Sequence, residues 1–600
     1  MTEVSSLLKE NFSIQELIKY VNDLSYFHRI QGSNELEAAG EYIYESLKDT
    51  SPIFDVKLHK FSYLRSYGVL EPITGWWIKD AELRLIKPTK KLLHSFKTSR
   101  TLVVAHSPGG EVEGEIIYVG QGDRPKYYEG VSVEGKVVLS HGSPYLVYRE
   151  ASKRGAAAVL LYRESGGPET AVPYMGLFLE PEEARKARTL ALSISRATAS
   201  ELLRYIRGGD KPVIHAKIVA GYRENPQIPV ITAKLGEAES EVHVFAHYCH
   251  PGGTVNDNVS GSALLLELAK AFSRVFEKTS ISLPKKHSIV FLWFPEYSGS
   301  LAYLLSRNTT SIVFGINLDM IGEKQCITNS VLSFIRPPPS MFHPYEAVVY
   351  YEVKKSLARA STFSSPRKLV AVRFDVAPYE TGSDHDIYLH LNIPAVMLNQ
   401  WPDRFYHTDQ DTIDKFDPEV ASLIGIGIGS AIYKIGSGDV SEYLLKSYIL
   451  EYLGSETSWV ESKFTEYRFK YLCNKLTNSL LKYYGRTLGL DALCSELGKS
   501  PGSSNEKYIY TGPPGIVGLR LLMKKLPSSE YYKLHDLISK ERYLRMLLSG
   551  FIPMVLREPK TINELRDLIL GELGISVNED KLRLLLDVLI KVGLVDKYST

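Results

Sequence analysis

The sequence predicts an α/β protein. It has a mixed, mostly parallel sheet flanked by helices, a β-rich insert, and a helical, winged-helix-like C-terminal region. Three observations predict it. From 222 to 437, buried-type strands alternate with helices, the pattern of a parallel sheet covered on both faces. From about 65 to 221, short β-branched or apolar runs are bounded by glycines. After 438, apolar residues recur at helical spacing. The 600 residues leave room for several domains, at roughly 100–200 residues each. The expected boundaries are 1–64 with 222–437 for a discontinuous core, 65–221 for the insert, 438–540 for a helical region and 541–600 for a winged-helix-like module.

The elements follow in order. Ile14, Leu17, Ile18 and Val21 form one helical stripe over 13–24. Ala38, Ala39, Tyr42, Ile43 and Leu47 form another over 35–48, which the segment Asp49 to Pro52 ends. Val56 to Phe61 alternates like a strand. In the insert, 114–120, 135–142 and 156–163 read as strands, with a helix between the last two. In the core, 242–248, 287–294, 312–322 and 393–399 are apolar strands. A helix over 260–272 has Ser260 as its expected N-cap. The 438–540 region is Tyr-rich and helical, interrupted by GKSPGSSNEK and TGPPG. The last 60 residues give a helix with Ile562, Leu565, Leu568 and Ile569, then a helix with Leu582, Leu585, Leu586, Leu589 and Ile590. GLVDKY closes as a strand.

Composition excludes several classes. With 44% hydrophobic and 23% charged residues the chain is neither disordered nor fibrous. With 71 Lys+Arg against 69 Asp+Glu, no global charge draws it to nucleic acid or an anionic membrane. Cys249, Cys326, Cys473 and Cys494 are too few and scattered for a disulfide scaffold, and a reducing compartment fits. The N-terminus has no signal-peptide core. No window is an uninterrupted apolar run of ~18 residues. A soluble, cytoplasmic protein is expected.

Chemistry gathers at the C-terminal ends of the predicted strands, where open α/β sheets bind ligands. AHYCHPGGTVNDNVSG (246–261) carries His247, His250 and Asp257, donors suited to Zn²⁺. Cys249 is a further donor, or points the other way. FPEYSGS (294–300) places Glu296 just past an apolar strand, where partial desolvation favours a general base or calls for a cation. INLDMIG (316–322) buries Asp319 in a strand, a residue that needs a partner there. The stretch 379–398 holds Glu380, Asp384, His385 and Asp386. RFYHTDQDT (404–412) holds Tyr406, His407 and Asp411; Asp411 either supports a ligand histidine's second nitrogen or fixes the loop. There is no GxSxG elbow, GxxxxGK[ST] loop or HExxH helix.

In this order, the motifs resemble the M28 family of zinc aminopeptidases over 13–64 and 225–415. HRIQGSNELEAAGEYIYESL (28–47) is similar to the family's N-terminal helix. The CHP then NDN spelling is closer to an aminopeptidase-like branch of the clan. The 65–221 insert is similar to a protease-associated domain. The resemblance implies removal of N-terminal amino acids from peptides, with one or two zinc ions and with Co²⁺ or Mn²⁺ as substitutes. It implies His247 as first ligand, Asp257 as bridge, Asp319 completing the first site and His407 on the second. Asp411 would support the ligands, as would Asp384 and His385, and Tyr406 would steady the oxyanion.

Two departures leave the site open. The family's adjacent glutamate pair is here Pro295-Glu296-Tyr297, so Glu296 is either base or ligand, with Glu380 as the other base. Cys249 replaces an acid after the first histidine, and His250 is an extra donor. His250, Asp257 and His407 with Glu296 as base would already make a single-zinc site. Free-amine recognition would fall to Glu380 or Asp384. The rival readings are a degenerate peptidase acting as a DNA-associated regulator, or an amidohydrolase, carboxypeptidase or cyclase on the same fold. Residues 557–600 carry seven basic against eight acidic residues, which disfavours nucleic acid and favours packing or homo-oligomer contacts.

Overall fold

The computed structural model describes residues 3–48, 50, 53–494 and 506–599. Of the expected helix stop at 49–52 only Thr50 is described, its N–H donating to Leu47 O at 2.8 Å, and most of the 498–507 interruption lies outside the described residues. The core is an eight-stranded sheet in the order Phe54–Ser62, Gln227–Leu235, Ser288–Phe294, Glu241–His247, Ile312–Asp319, Ala395–Trp401, Val331–Ile335, Phe374–Ala377. The strands from Ser288–Phe294 through Ala395–Trp401 run parallel, while three pairings towards the edges are antiparallel. The sheet is therefore mixed with a parallel centre. Register aligns His247 with Phe294 and Asp319 with Asn399, so the central strands end level on one side.

Helices cover both faces. Ile14–Tyr26 starts at Ser13, whose hydroxyl accepts from Glu16 N, and buries Leu17, Tyr20, Val21 and Leu24. Asn34–Lys48 buries Leu36, Ala39, Ile43 and Leu47. A helix over Glu3–Asn11 was not expected from the sequence. Pro418–Ser437 is long and apolar enough to cross a membrane by composition, yet it is mostly buried among core helices. Its Gly427 permits the approach: a Cβ there would sit 2.8 Å from Val353 Cα.

Ser260 does not cap its helix as expected. A distorted turn, Asn256–Ser260, precedes the Gly261–Lys278 helix, and Ser260 itself is already helical in backbone. Asn258 Oδ1 takes the capping role, accepting from Gly261 N at 3.1 Å and from Met320 N at 3.0 Å. Ser260 Oγ donates to Asn256 O and accepts from Ile321 N, tying two site loops together.

The insert forms a seven-stranded sheet, with Gly75–Lys87 and Val213–Arg223 among its antiparallel strands and Val137–Ser140, Ala158–Leu161 and Leu190–Ser193 running parallel. At the C-terminal end, Ile562–Leu573 opens on a reciprocal Thr561/Glu564 cap and packs with Glu579–Lys591. The strand Val595–Ser599 pairs with Glu506–Tyr510, which lies ahead of the 541 boundary, so this unit includes residues from 506 onward. Cys473 and Cys494, read as too scattered for a disulfide scaffold in a chain expected in a reducing compartment, form one disulfide across 21 residues. Sequence spacing hid it because the pairing depends on how the Thr465–Tyr484 helix meets the following turn.

Candidate metal centre and cavity

Side chains from four strand ends converge. His247 ends one central strand, Asp319 ends the next, Glu296 follows Phe294, and His407 lies on the loop after Trp401. Asp257 comes from the turn ahead of the Gly261–Lys278 helix. Two donor sets form around it: His247, Asp257 and Asp319, and His250, Asp257 and His407. His247 Nε2 lies 3.4 Å from Asp257 Oδ1 and 3.2 Å from Asp319 Oδ1. His250 and His407 Nε2 lie 3.6 and 2.8 Å from Asp257 Oδ2. Donors about 2.1 Å from a tetrahedral zinc stand ~3.4 Å apart, so the spacing suits an ion in each set. Asp319 Oδ1 is buried and has no hydrogen-bond partner despite its closeness to His247, as expected of a donor aimed at a cation.

The electrostatics is divided: against burial, Asp319, Cys249 and Glu296 raise the His247 imidazole well above its ordinary value, while Asp257 and His250 shift the other way. Burial opposes ionisation of Asp257, yet His250, His407 and His247 hold it well below the usual carboxylate range. Burial pushes His250 down to about 3, keeping the imidazole neutral and able to bind a metal. Glu296 belongs to neither of the sets that share Asp257, but it groups with His247, Cys249 and His250 in a third set of neighbouring donors. Burial drives its carboxyl well above the ordinary range, against His247 and with the help of Asp384, Asp257 and Asp319. Its Oε2 is 4.0 Å from His250 Nε2, and its side chain retains 20% exposure towards a cavity.

Cys249 is turned to the back of the site. Its Sγ is 3.6 and 3.5 Å from the Nδ1 atoms of His247 and His250, leaving both Nε2 atoms to the carboxylates. It also accepts from Glu296 N at 3.3 Å. The thiol thus touches the Nδ1 side of both imidazoles while also reaching the cavity floor, within donor distance of Glu296. Asp411 fixes a loop instead of supporting a histidine: it accepts from Asn256 N and Asp257 N at 2.8 and 3.2 Å. Burial and the neighbouring Asp403 push it up to about 8.

Other expected residues are elsewhere. Asp384 is wholly buried behind the Glu296 loop, where it accepts from Tyr297 N and Ser300 Oγ. Burial pushes it up to about 7, and it cannot receive a substrate amine. Glu380 is exposed and is absent from the cavity lining among the described residues, so it is neither base nor amine anchor. His385 bonds to Glu380 O at 2.8 Å and supports no ligand. Asp384 thus backs the cluster and adds its charge beside Glu296, whereas Glu380 and His385 meet each other outside it.

Three supports were missed. Arg29, fully buried, donates to Tyr248 O at 2.7 Å and to Leu24 O and Phe27 O at 2.6 and 2.8 Å. This fixes the Cys249–Pro251 loop against the N-terminal helix. Gln31 Nε2 donates to Glu296 O at 3.0 Å, and its Oε1 accepts from Ser298 Oγ at 2.8 Å. Tyr174, from the insert, stands edge-on to His250 and His407, and its N–H donates to His407 O at 2.7 Å. A buried arginine in HRIQG was the available signal for the first; nothing local signalled Tyr174.

The cavity has a volume of about 330 Å³. Tyr63, Tyr67, Leu70, Tyr174 and Phe178 make its walls, and Cys249, His250, Glu296 and His407 its floor. Tyr406 stacks on His407 at 3.8 Å between ring centres. Burial and the carboxylates of Asp257, Glu296 and Asp319 push its phenol well above the ordinary value.

Residues 230–431 match the model of peptidase family M28. The matched span contains His247, His250, Asp257, Glu296, Asp319 and His407. A Clostridium acetobutylicum protein described as a polysaccharide biosynthesis protein with an aminopeptidase-like domain is 42% identical over 91 residues, 15% of this chain and 19% of that one. "Probable glutamate carboxypeptidase AMP1" of Arabidopsis thaliana is 27% identical over 218 residues, 32% of this chain and 28% of that one. The chain thus spans less than a third of the length of these two curated relatives. Among solved structures, a zinc aminopeptidase of Bacillus subtilis is similar at TM-score 0.50 and 18% identity, covering 71% of this chain and 95% of that one. A peptidase M28 precursor of Shewanella amazonensis gives 0.51 and 15%, covering 72% and 96%. The fold is that of the zinc exopeptidases: a mixed α/β sheet flanked by helices.

Proposed function

We propose that the chain is a zinc-dependent aminopeptidase with two ions, one held by His247, Asp257 and Asp319, the other by His250, Asp257 and His407. The observation that carries this reading is the pair of donor sets sharing Asp257, with Glu296 outside both and facing the cavity. His250 takes the ligand place that a second glutamate would fill, which releases Glu296 for proton transfer. Bound zinc supplies Lewis acidity at the substrate carbonyl and makes water more acidic.

The protein groups do the rest. A buried Glu296 with a raised pKa takes a proton from the attacking water at its carboxylate and delivers it to the leaving amine nitrogen. Tyr406, kept protonated by its raised pKa, donates to the developing oxyanion. The apolar cavity wall receives the side chain of the terminal residue and keeps bulk water from the reacting bond.

Matched peptides with free and acetylated N-termini test the reading, before and after chelation and zinc readdition. Cleavage confined to the free-amine series and abolished by chelation supports it. Cleavage at the C-terminus, of blocked substrates only, or of neither series would replace it with one of the rival reactions or a degenerate site.

A further inference from the structure

The C-terminal unit reaches both outer walls of the cavity. One wall is the 63–73 segment, with Tyr67, Leu70 and Glu71; the other is the insert segment 174–178, with Tyr174 and Phe178. The TGPPG stretch at 511–515 meets the first. Val69 N donates to Pro514 O at 3.0 Å. Gly68, at φ +55°, is in direct contact there: a Cβ would fall 1.9 Å from Pro514 O.

The short helix that follows, Leu519–Lys525, meets both walls. Lys524 pairs with Glu71 at 3.0 Å and with Glu180. Arg520 donates to Leu177 O at 3.1 Å, to Phe178 O and to the Glu183 carboxylate, and its guanidinium lies 4.2 Å over the Tyr145 ring. Apolar packing backs these bonds. Leu146 of the insert and Tyr379 and Leu389 of the core are buried in the hydrophobic cluster of the C-terminal unit.

Neither wall is a regular strand or helix, although Tyr63 N bonds to Pro226 O and the 174–178 segment bonds to Ala105 and His407. The 63–73 segment runs between strands as turns and coil, and 174–178 is an extended crossing with Phe178 in the left-handed region at φ 46°. Arg520 Nη1 serves two successive carbonyls while Nη2 holds Glu183, a fixed planar set of donors that a lysine ammonium does not offer.

We propose that Arg520 and Lys524 are positioning residues for the substrate cavity: the C-terminal unit holds the insert and the 63–73 segment at the spacing that fits the terminal side chain. The unit is then part of the peptidase's specificity and not a separate binding module. This rests on the peptidase reading, so the test has a readout that does not.

The experiment compares Arg520→Ala, Lys524→Ala and the double variant with wild type, in the full chain loaded with zinc. Hydrogen exchange is read at 65–73 and 174–180, and KM and kcat on a free-amine dipeptide. Exchange in both segments is expected to rise about tenfold or more, as local opening becomes easier. KM should rise about tenfold while kcat and zinc content hold, the signature of lost substrate positioning. Arg520→Lys should recover part of the KM. Arg124→Ala, which removes the insert's two bonds to Asp536 of the C-terminal unit but no bond to either wall segment, should change neither readout. Unchanged exchange in both segments overturns the proposal whether or not any peptide is cleaved. So does raised exchange with unchanged KM in an active enzyme. If the double variant unfolds, the single variants and Arg520→Lys decide.

Discussion

Glu296→Gln separates base from ligand. The side chain has the same shape, and the loop that carries it is held by backbone groups: Glu296 N on Cys249 Sγ, Glu296 O on Gln31 and Tyr297 N on Asp384. The substitution removes one charge from a site already crowded by Asp257, Asp319 and Asp384, so the fold should not suffer. Both donor sets remain complete without Glu296. Loss of a general base costs about 10²–10⁴ in rate. At roughly 1.4 kcal/mol per tenfold, that is about 3–5 kcal/mol of barrier. The assay is kcat on a free-amine peptide together with zinc content of the same preparation. The reasoning expects kcat to fall by that factor with zinc unchanged. A kcat within about twofold of wild type would remove Glu296 from the chemistry. Zinc lost together with activity would make it a ligand.

Two more expectations follow from other parts of the molecule. Cys249→Ser shortens the side chain and so lengthens the gap to both Nδ1 atoms; losing such an orienting partner weakens metal binding by about 10–100-fold, and a zinc titration with unchanged affinity would deny the thiol that role. Glu346, wholly buried, accepts from His343 N at 2.9 Å and Tyr448 OH at 3.2 Å, and burial pushes it up from 4.5 to about 8. The folded chain thus keeps a proton that the unfolded chain gives up, so its stabilising share is full below pH 4.5 and is lost as pH rises through about 8. Glu346→Gln, which cannot ionise, should gain stability relative to wild type as pH rises over this window, read as a Tm difference; a difference that stays flat across it would refute the shift.

Much of the site was legible because metal chemistry at strand ends leaves residues where strands should not tolerate them. His247, Asp257, Asp319 and His407 were readable from their places at strand ends and turns, and all four meet. Which neighbour joins them was not readable. Cys249 and His250 are adjacent, and only the positive φ of 103° at His250 turns its ring to the carboxylates while Cys249 faces back. Glu380 was expected as a base or amine anchor, Asp384 as an anchor or support and His385 as a support; of these Asp384 comes nearest, behind the Glu296 loop. Tyr174, Phe178 and Arg520 lie far from the ligands in sequence, so their roles emerge only when the insert and C-terminal unit pack on the core. The C-terminal strand Val595–Ser599 was expected, but its partner Glu506–Tyr510 lies across a long separation that no local pattern spans.

The central claim is the pair of donor sets joined by Asp257. Zinc per chain, measured on protein purified without added metal and then saturated, tests it directly against His250→Ala and Asp319→Ala. Two ions in wild type, one in each single variant, and no aminopeptidase activity after chelation are the predicted results. One ion in wild type that survives His250→Ala, or none that zinc can restore, would contradict it.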